Sequence, residues 1–221
     1  MGSKTSLSAL REQMLALNKI GIPLSRERDI NSLLSLILTE SRQFANAEGG
    51  TLYIREDEHL RFAVTQNEVL EKRFREKSKN GNGDSQPPFS SFLVPLNKNS
   101  LSGYVGVTGK VLNIPDAYKI PKSSAFQFNR SFDLKNEYRT KSIIVVPVKD
   151  SSDYVVGVLQ LINARKGKRV VPFTKGFESL LLSLASQAAI SIRNARLTQE
   201  LKEAYLDTIF RLSVAAEYKD D

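Results

Sequence analysis

Few residues in this chain could carry covalent or metal chemistry. Its 221 residues include no cysteine and one histidine, His59. Thiolate nucleophiles, zinc–thiolate and iron–sulfur sites and disulfides are therefore excluded, and a lone imidazole supports little beyond what it can do alone. A glycine series, Gly103, Gly106 and Gly109-Lys110, invites a phosphate-loop reading. It fails, because no glycine stands five residues before Gly109 and Val111 occupies the Ser/Thr position. Most enzymatic chemistry is thereby gone, and the charge suggests a kind of partner. Lys+Arg number 32 against 24 Asp+Glu, a formal net charge of +8, which favours an anionic partner: a nucleotide, a nucleic acid or a membrane surface. The basic residues are scattered except in two stretches, Lys72, Arg73, Arg75, Lys77, Lys79 and Arg165, Lys166, Lys168, Arg169. Both read as solvated loops or loop margins, so neither nucleic acid nor membrane is expected as a partner.

The elements that must position any site follow from periodicity. At 41% hydrophobic and 25% charged, the composition is that of an ordinary globular protein. No apolar run approaches the ~18 residues of a membrane span, and no signal peptide opens the chain, so a cytoplasmic location is expected. Residues 5–20 are moderately amphipathic and are broken by Gly21-Ile22-Pro23. Asp29 then reads as an N-cap, with Ile30, Leu33, Leu34, Ile37 and Leu38 at helical spacing, and the helix should stop at Glu48-Gly49-Gly50. Strands over 51–54 and 60–65 flank Glu56-Asp57-Glu58 as a hairpin, with His59 a surface residue at its edge. Residues 77–88 read as a loop, 92–96 as a short strand, 100–105 as the start of a short helix and 111–114 as a strand. Residues 115–140 are irregular to helical, 142–148 and 155–162 are central strands, and 174–218 form one long helix. Along that helix Leu197, Leu201, Tyr205, Ile209 and Leu212 keep an apolar stripe that needs a partner helix, hence a homodimer. The sum is an α+β chain: a single antiparallel sheet, helices on one face, and an irregular cover on the other under which ligands sit.

Three strings then carry a resemblance. Gly103-x-x-Gly106-x-x-Gly109-Lys110-x-Leu112-Asn113-Ile114-Pro115-Asp116-Ala117-Tyr118 resembles the central motif of GAF domains, above all those of cyclic-nucleotide phosphodiesterases and adenylyl cyclases. Phe128-Asn129-x-x-x-Asp133-x-x-x-x-Tyr138-Arg139-Thr140-Lys141-Ser142-Ile143 and Gly157-Val158-x-Gln160-Leu161-Ile162-Asn163 continue it. The resemblance implies a domain over 27–195, an N-terminal helix and linker over 1–26, and a signalling helix over 196–221. A family signature of nucleotide-binding members survives at Asn163, Phe173 and Glu178, while Ala164 and Phe177 replace a Lys and an Asp that usually form an ion pair. The string Leu212-Ser213-Val214-Ala215-Ala216-Glu217-Tyr218-Lys219-Asp220-Asp221 looks like the opening of an HD-GYP domain, implying the sensor of a longer bacterial protein that degrades cyclic di-GMP.

A cyclic nucleotide presents a purine face, purine edges, a ribose hydroxyl and one negative phosphate. Ser102-Gly103-Tyr104 at a helix start can offer backbone N–H groups and the positive end of the dipole, with Gly103 allowing close approach. The resemblance puts phosphate contacts there and near Tyr118 and Thr140, and it includes Gln160 in the last strand. Thr51, Thr65, Gln66 and Asn67 on the hairpin, with Asp133 and Asn136 on the cover, suit purine edges, and Phe126 or Phe128 suits the purine face. The expectation is a regulatory module for cAMP, ahead of cGMP, with no other cofactor, no metal and no catalysis of its own. A dimerisation scaffold with an empty pocket or another small ligand is the alternative. Catalytic members of the family, which reduce methionine sulfoxide or attach bilins, need the cysteine that is missing here.

Overall fold

The computed structural model describes residues 29–79 and 93–217. Helix α1 (Ile30–Ala45) starts where the Asp29 carboxylate accepts the Ser32 N–H at 2.7 Å, and it buries Leu33, Leu34, Ile37 and Leu38. It stops earlier than expected, at Asn46, whose left-handed backbone (φ 47°) sends its N–H back to the carbonyls of Arg42 and Gln43. Glu48, Gly49 and Gly50 are therefore already strand. At Gly50 a Cβ would stand 2.7 Å from Leu161 and 2.9 Å from Leu38, so glycine lets helix and neighbouring strand close on β1.

Strand β1 (Ala47–Glu56) pairs antiparallel with β2 (His59–Asn67) across a turn at Asp57, and on its other side with β6 (Val155–Lys166). Strands β3 (Leu93–Pro95), β4 (Leu112–Ile114) and β5 (Ile143–Lys149) extend the sheet to the order β3-β2-β1-β6-β5-β4, and β7 (Arg169–Val171) pairs with the end of β6. Period-two alternation splits the core. Leu52, Ile54, Ile144, Val146, Val148, Leu159 and Leu161 meet α1 and the C-terminal helix α5 (Lys175–Glu217). Tyr53, Ile143, Val145 and Val158 meet α3 (Leu101–Thr108), Ile114 and Ala117 on the opposite face. Each fully buried Leu or Ile contributes about 1.5–3 kcal/mol. Over that second face also run a 3₁₀ turn (Ala117–Lys119) and the short helix α4 (Ser131–Lys135).

One further expectation changes. Residues Glu68–Lys79 form a helix, α2, rather than running into a loop, so Lys72, Arg73, Arg75, Lys77 and Lys79 are helical. Its start is a reciprocal cap: Asn67 Oδ1 accepts the Leu70 N–H, and Glu71 accepts the Asn67 N–H, both at 3.1 Å. The second basic stretch is a loop margin as expected: Arg165 and Lys166 end β6, Lys168 sits in the turn beside Gly167, and Arg169 opens β7. Helix α5 runs unbroken through residue 195; its first half buries Leu181, Leu184, Ala188 and Ile192, while Leu197, Leu201, Tyr205, Ile209 and Leu212 are exposed. The helix expected over 5–20, the break at 21–23, the loop from 80 to 88, Phe92 and Tyr218–Asp221 lie outside the described residues.

Candidate functional site

The second face of the sheet holds a cavity of about 500 Å³, within the range of small-molecule sites. Its floor follows from strand register. Thr51 on β1 lies opposite Thr65 on β2 and Gln160 on β6, and the Thr65 hydroxyl donates to Thr51 Oγ1 at 3.4 Å. Two residues along β1, Tyr53 packs edge-on against Phe62, ring centroids 4.6 Å apart. Burial pushes the Tyr53 phenol up to about 12, against the opposing pull of the Ser102 and Thr51 hydroxyls. Ser102 comes from α3, and the cover contributes Phe128, Asn129, Ser131, Phe132 and Asp133, closed off by Thr140.

Asp133 is 2% exposed and holds the cover together. Its carboxylate accepts the Thr140 N–H and hydroxyl, each at 2.8 Å, and the Tyr118 hydroxyl at 3.0 Å. The Tyr118 ring in turn lies under two guanidiniums, Arg130 at 4.5 Å and Arg139 at 4.1 Å. Burial and the Asp133 carboxylate raise the Tyr118 phenol above its ordinary value. On β6, Asn163, left-handed at φ 56°, ties the end of the cover to the sheet: it accepts the Lys141 N–H at 2.7 Å and donates to Glu48, Tyr138 and the Arg139 carbonyl. Glu48 also accepts Tyr138 at 2.6 Å and pairs with Arg165. Burial, with Glu48 beside it, raises the Tyr138 phenol.

The structure therefore brings Thr51, Thr65, Asn67, Ser102, Phe128, Asp133, Thr140 and Gln160 to the cavity wall. Gln66 borders it too, but its side chain turns to the other face, accepting from Arg42 and donating to Thr39, both at 2.8 Å. Residues next to one another on a strand face opposite ways, so Gln66 cannot share the Thr65 surface. Gly103, Tyr104, Tyr118 and Asn136 do not line the cavity. The Gly103 N–H is taken by the Ser100 hydroxyl at 3.0 Å and the Tyr104 N–H by the Ser100 carbonyl at 2.9 Å, so neither is left for an anion. The close approach that Gly103 permits is to the carbonyls of Asn97 and of Pro95 at the end of β3, and Gly109 (φ 62°) is the left-handed cap of α3. Tyr118 acts through Asp133, and Asn136 donates to the Phe132 carbonyl at 2.8 Å within its own turn. Phe126 is spent on Tyr104, ring centroids 5.0 Å apart.

Sequence reading missed Tyr53, Phe62 and Ile162, although alternation from Thr51, Thr65 and Gln160 points to Tyr53 and Ile162. Among the described residues lining the cavity none is Lys, Arg or His, and Asp133 is the only carboxylate. A second hollow, a groove of about 610 Å³ on the α1–α2 side, is the opposite: Arg42, Lys72, Arg73 and Arg165 face Glu48, Glu68 and Glu76.

The family model described as GAF domain matches residues 29–192. The chain belongs to the GAF family. Dual 3′,5′-cyclic-AMP and -GMP phosphodiesterase 11 of Drosophila melanogaster is 36% identical over 100 residues, 45% of this chain and 6% of that protein. Its counterpart 11A of Takifugu rubripes is 32% identical over 112 residues, 51% of this chain and 12% of that protein. The chain thus spans only a small part of the curated relatives it matches. Among solved structures, the GAF domain from Acinetobacter phosphoenolpyruvate-protein phosphotransferase aligns with a TM-score of 0.61 at 18% identity, covering 86% of this chain and 98% of that one. The free methionine-R-sulfoxide reductase from Neisseria meningitidis aligns at 0.58 and 16% identity, covering 84% and 91%. These likenesses establish the GAF fold, an antiparallel sheet with helices and here a long C-terminal helix. At its two departures from the family signature this GAF domain substitutes apolar packing: Ala164 is 2% exposed, and Phe177 meets Phe44 edge-on at 5.9 Å. Among the described residues, no helix is long and apolar enough to cross a membrane, and no cluster of potential metal ligands occurs.

Proposed function

We propose that this chain is the regulatory sensor segment of a longer cytoplasmic signalling protein and that its cavity takes a cyclic purine nucleotide, cAMP ahead of cGMP. The observation that carries the reading is the cavity itself: apolar walls, a floor of neutral donors and acceptors, and a cover tied down around Asp133. The Thr51, Thr65 and Gln160 floor suits purine edges, Phe128 suits the purine face, and Ser102 offers a hydroxyl to the phosphate. Similarity to segments of dual cyclic-AMP and -GMP phosphodiesterases supports the same class of ligand. In this reading the module binds its ligand and catalyses no reaction. Residues 27–195 bind, the 1–26 segment precedes them, and the helix from 196 onward carries the state to an effector. The exposed stripe from Leu197 to Leu212 supports a homodimer through that helix. The resemblance of residues 212–221 to an HD-GYP opening supports a bacterial cyclic di-GMP phosphodiesterase as the effector.

Calorimetric titration with cAMP and cGMP, after mass spectrometry has excluded co-purified ligand, tests this. Saturable one-to-one binding per chain, weakened by Thr51→Val and Gln160→Ala with folding intact by circular dichroism, is expected. No heat with either nucleotide from a demonstrably empty cavity would favour a dimerisation scaffold instead.

A further inference from the structure

We infer that the cavity selects phosphate esters by charge, accepting a singly charged phosphodiester and excluding the doubly charged monoester of a 5′-nucleotide. This rests on the proposed cyclic-nucleotide reading and adds to it a rule about which phosphates enter.

The rule comes from what the wall contains. The titratable side chains among the described lining residues are Asp133 and Tyr53; no Lys, Arg or His faces the cavity from β1, β2, β3, β6, α3 or the cover. Residues 80–92, between α2 and β3, contain no basic residue in their sequence either. The three guanidiniums next to lining residues in sequence are committed elsewhere, Arg61 to Glu56 at 2.6 Å. Arg130 and Arg139 lie on the Tyr118 ring, Arg130 also donates to the Tyr118 carbonyl at 3.2 Å, and Arg139 pairs with Asp116 at 3.6 Å. The basic residues of the charged groove do not line the cavity.

Donors near the acid are committed too. Thr140 N–H, Thr140 hydroxyl and Tyr118 hydroxyl all point at Asp133, and the Gln127 amide donates to Pro121, Lys122 and Ser124 carbonyls. A few neutral donors such as Ser102 can solvate one delocalised negative charge. A second one, in a partly dehydrated site with a carboxylate in its wall and no counter-ion among the described lining residues, is strongly disfavoured. A phosphodiester carries one charge throughout the neutral range, whereas a monoester gains its second near pH 6. The product of ring opening would therefore leave the site without competing for it. A reaction of the phosphodiester-hydrolysing class would end the signal cleanly.

The test is competition on the full chain. cAMP, cGMP, 5′-AMP and 5′-GMP are titrated at pH 7.5 and pH 5.5. The cyclic forms should change less than about twofold between the two. The 5′-nucleotides should bind far more weakly at pH 7.5 and gain about 25-fold at pH 5.5, following the monoanion fraction of a group titrating near 6. Asp133→Asn, if folded by circular dichroism, should narrow the gap at pH 7.5. A 5′-nucleotide that matches its cyclic form at pH 7.5, or one that stays weak at pH 5.5, overturns the charge rule while leaving cyclic-nucleotide binding standing. Absence of binding by cAMP and cGMP overturns the parent reading and this rule together.

Discussion

The two hollows of this domain lie on opposite sides of its first strands, and the larger is not the better site. The groove of about 610 Å³ is walled by charges of both signs that have already found one another: Arg42 with Glu68 at 2.8 Å, and Arg165 with Glu48. The cavity of about 500 Å³ is walled by hydroxyls, amides and aromatic rings, with a single acid satisfied from within its own cover. In the groove, side-chain chemistry is spent on holding β1, β6 and the cover together; in the cavity it is left over. That difference teaches where stability and recognition should separate: substitutions around the groove should change folding, and those in the cavity floor should change binding.

Glu48→Leu puts the separation under greatest strain. It takes the carboxylate away from Arg165, the Tyr138 hydroxyl and one Asn163 N–H, and the expected loss is about 3–4 kcal/mol in urea unfolding, the low end of the range for breaking a buried charge network because Arg165 stays partly solvated. A loss under 1 kcal/mol would erase the distinction. The next effect belongs to the cavity and is alkaline. Folded Tyr53 keeps its proton up to about pH 12, whereas an unfolded tyrosine releases it near 10. The native state thus binds the proton more tightly, and its stabilisation is complete below about pH 10 and lost as pH climbs toward 12, by up to about 3 kcal/mol. Unfolding followed across that window should show the loss, and Tyr53→Phe should flatten it. Thr51→Val should cost less than about 1 kcal/mol of stability but about tenfold in nucleotide affinity, about 1.4 kcal/mol. Smallest of all, Lys72→Ala in the groove should shift stability by no more than about 0.5 kcal/mol and leave affinity unchanged; a clear loss of binding would mean the groove takes part in recognition.

Much of this was legible where burial writes a period. The α1 stripe, the Thr51–Thr65 hairpin and the central strands could be read because each buries a regular face. Helix α2 could not, since among its described side chains only Leu70 is buried and the sequence around it is dominated by charged residues. Strand β7 is too short to show alternation. At the site, strand residues were readable to the extent that alternation was applied; Gln66 was misplaced by treating neighbours in sequence as neighbours in space. Gly103 was misassigned because a glycine permitting close approach does not say what approaches. The links from Glu48 to Tyr138 and Asn163 span sequence separations of 90 and 115 residues, and no local pattern encodes them.

The C-terminal helix has a mechanical side. Its anchored half ends near Ile192, and the helix runs on to Glu217 with the large apolar side chains from Leu197 to Leu212 in the open. At 1.5 Å per residue that overhang is about 37 Å of stiff rod. A tilt of about 5° at the anchored half moves the far end by about 3 Å, the width of a strong hydrogen bond. The helix is thus a lever as well as a packing surface: it magnifies displacements of the sheet too small to disturb a close-packed core.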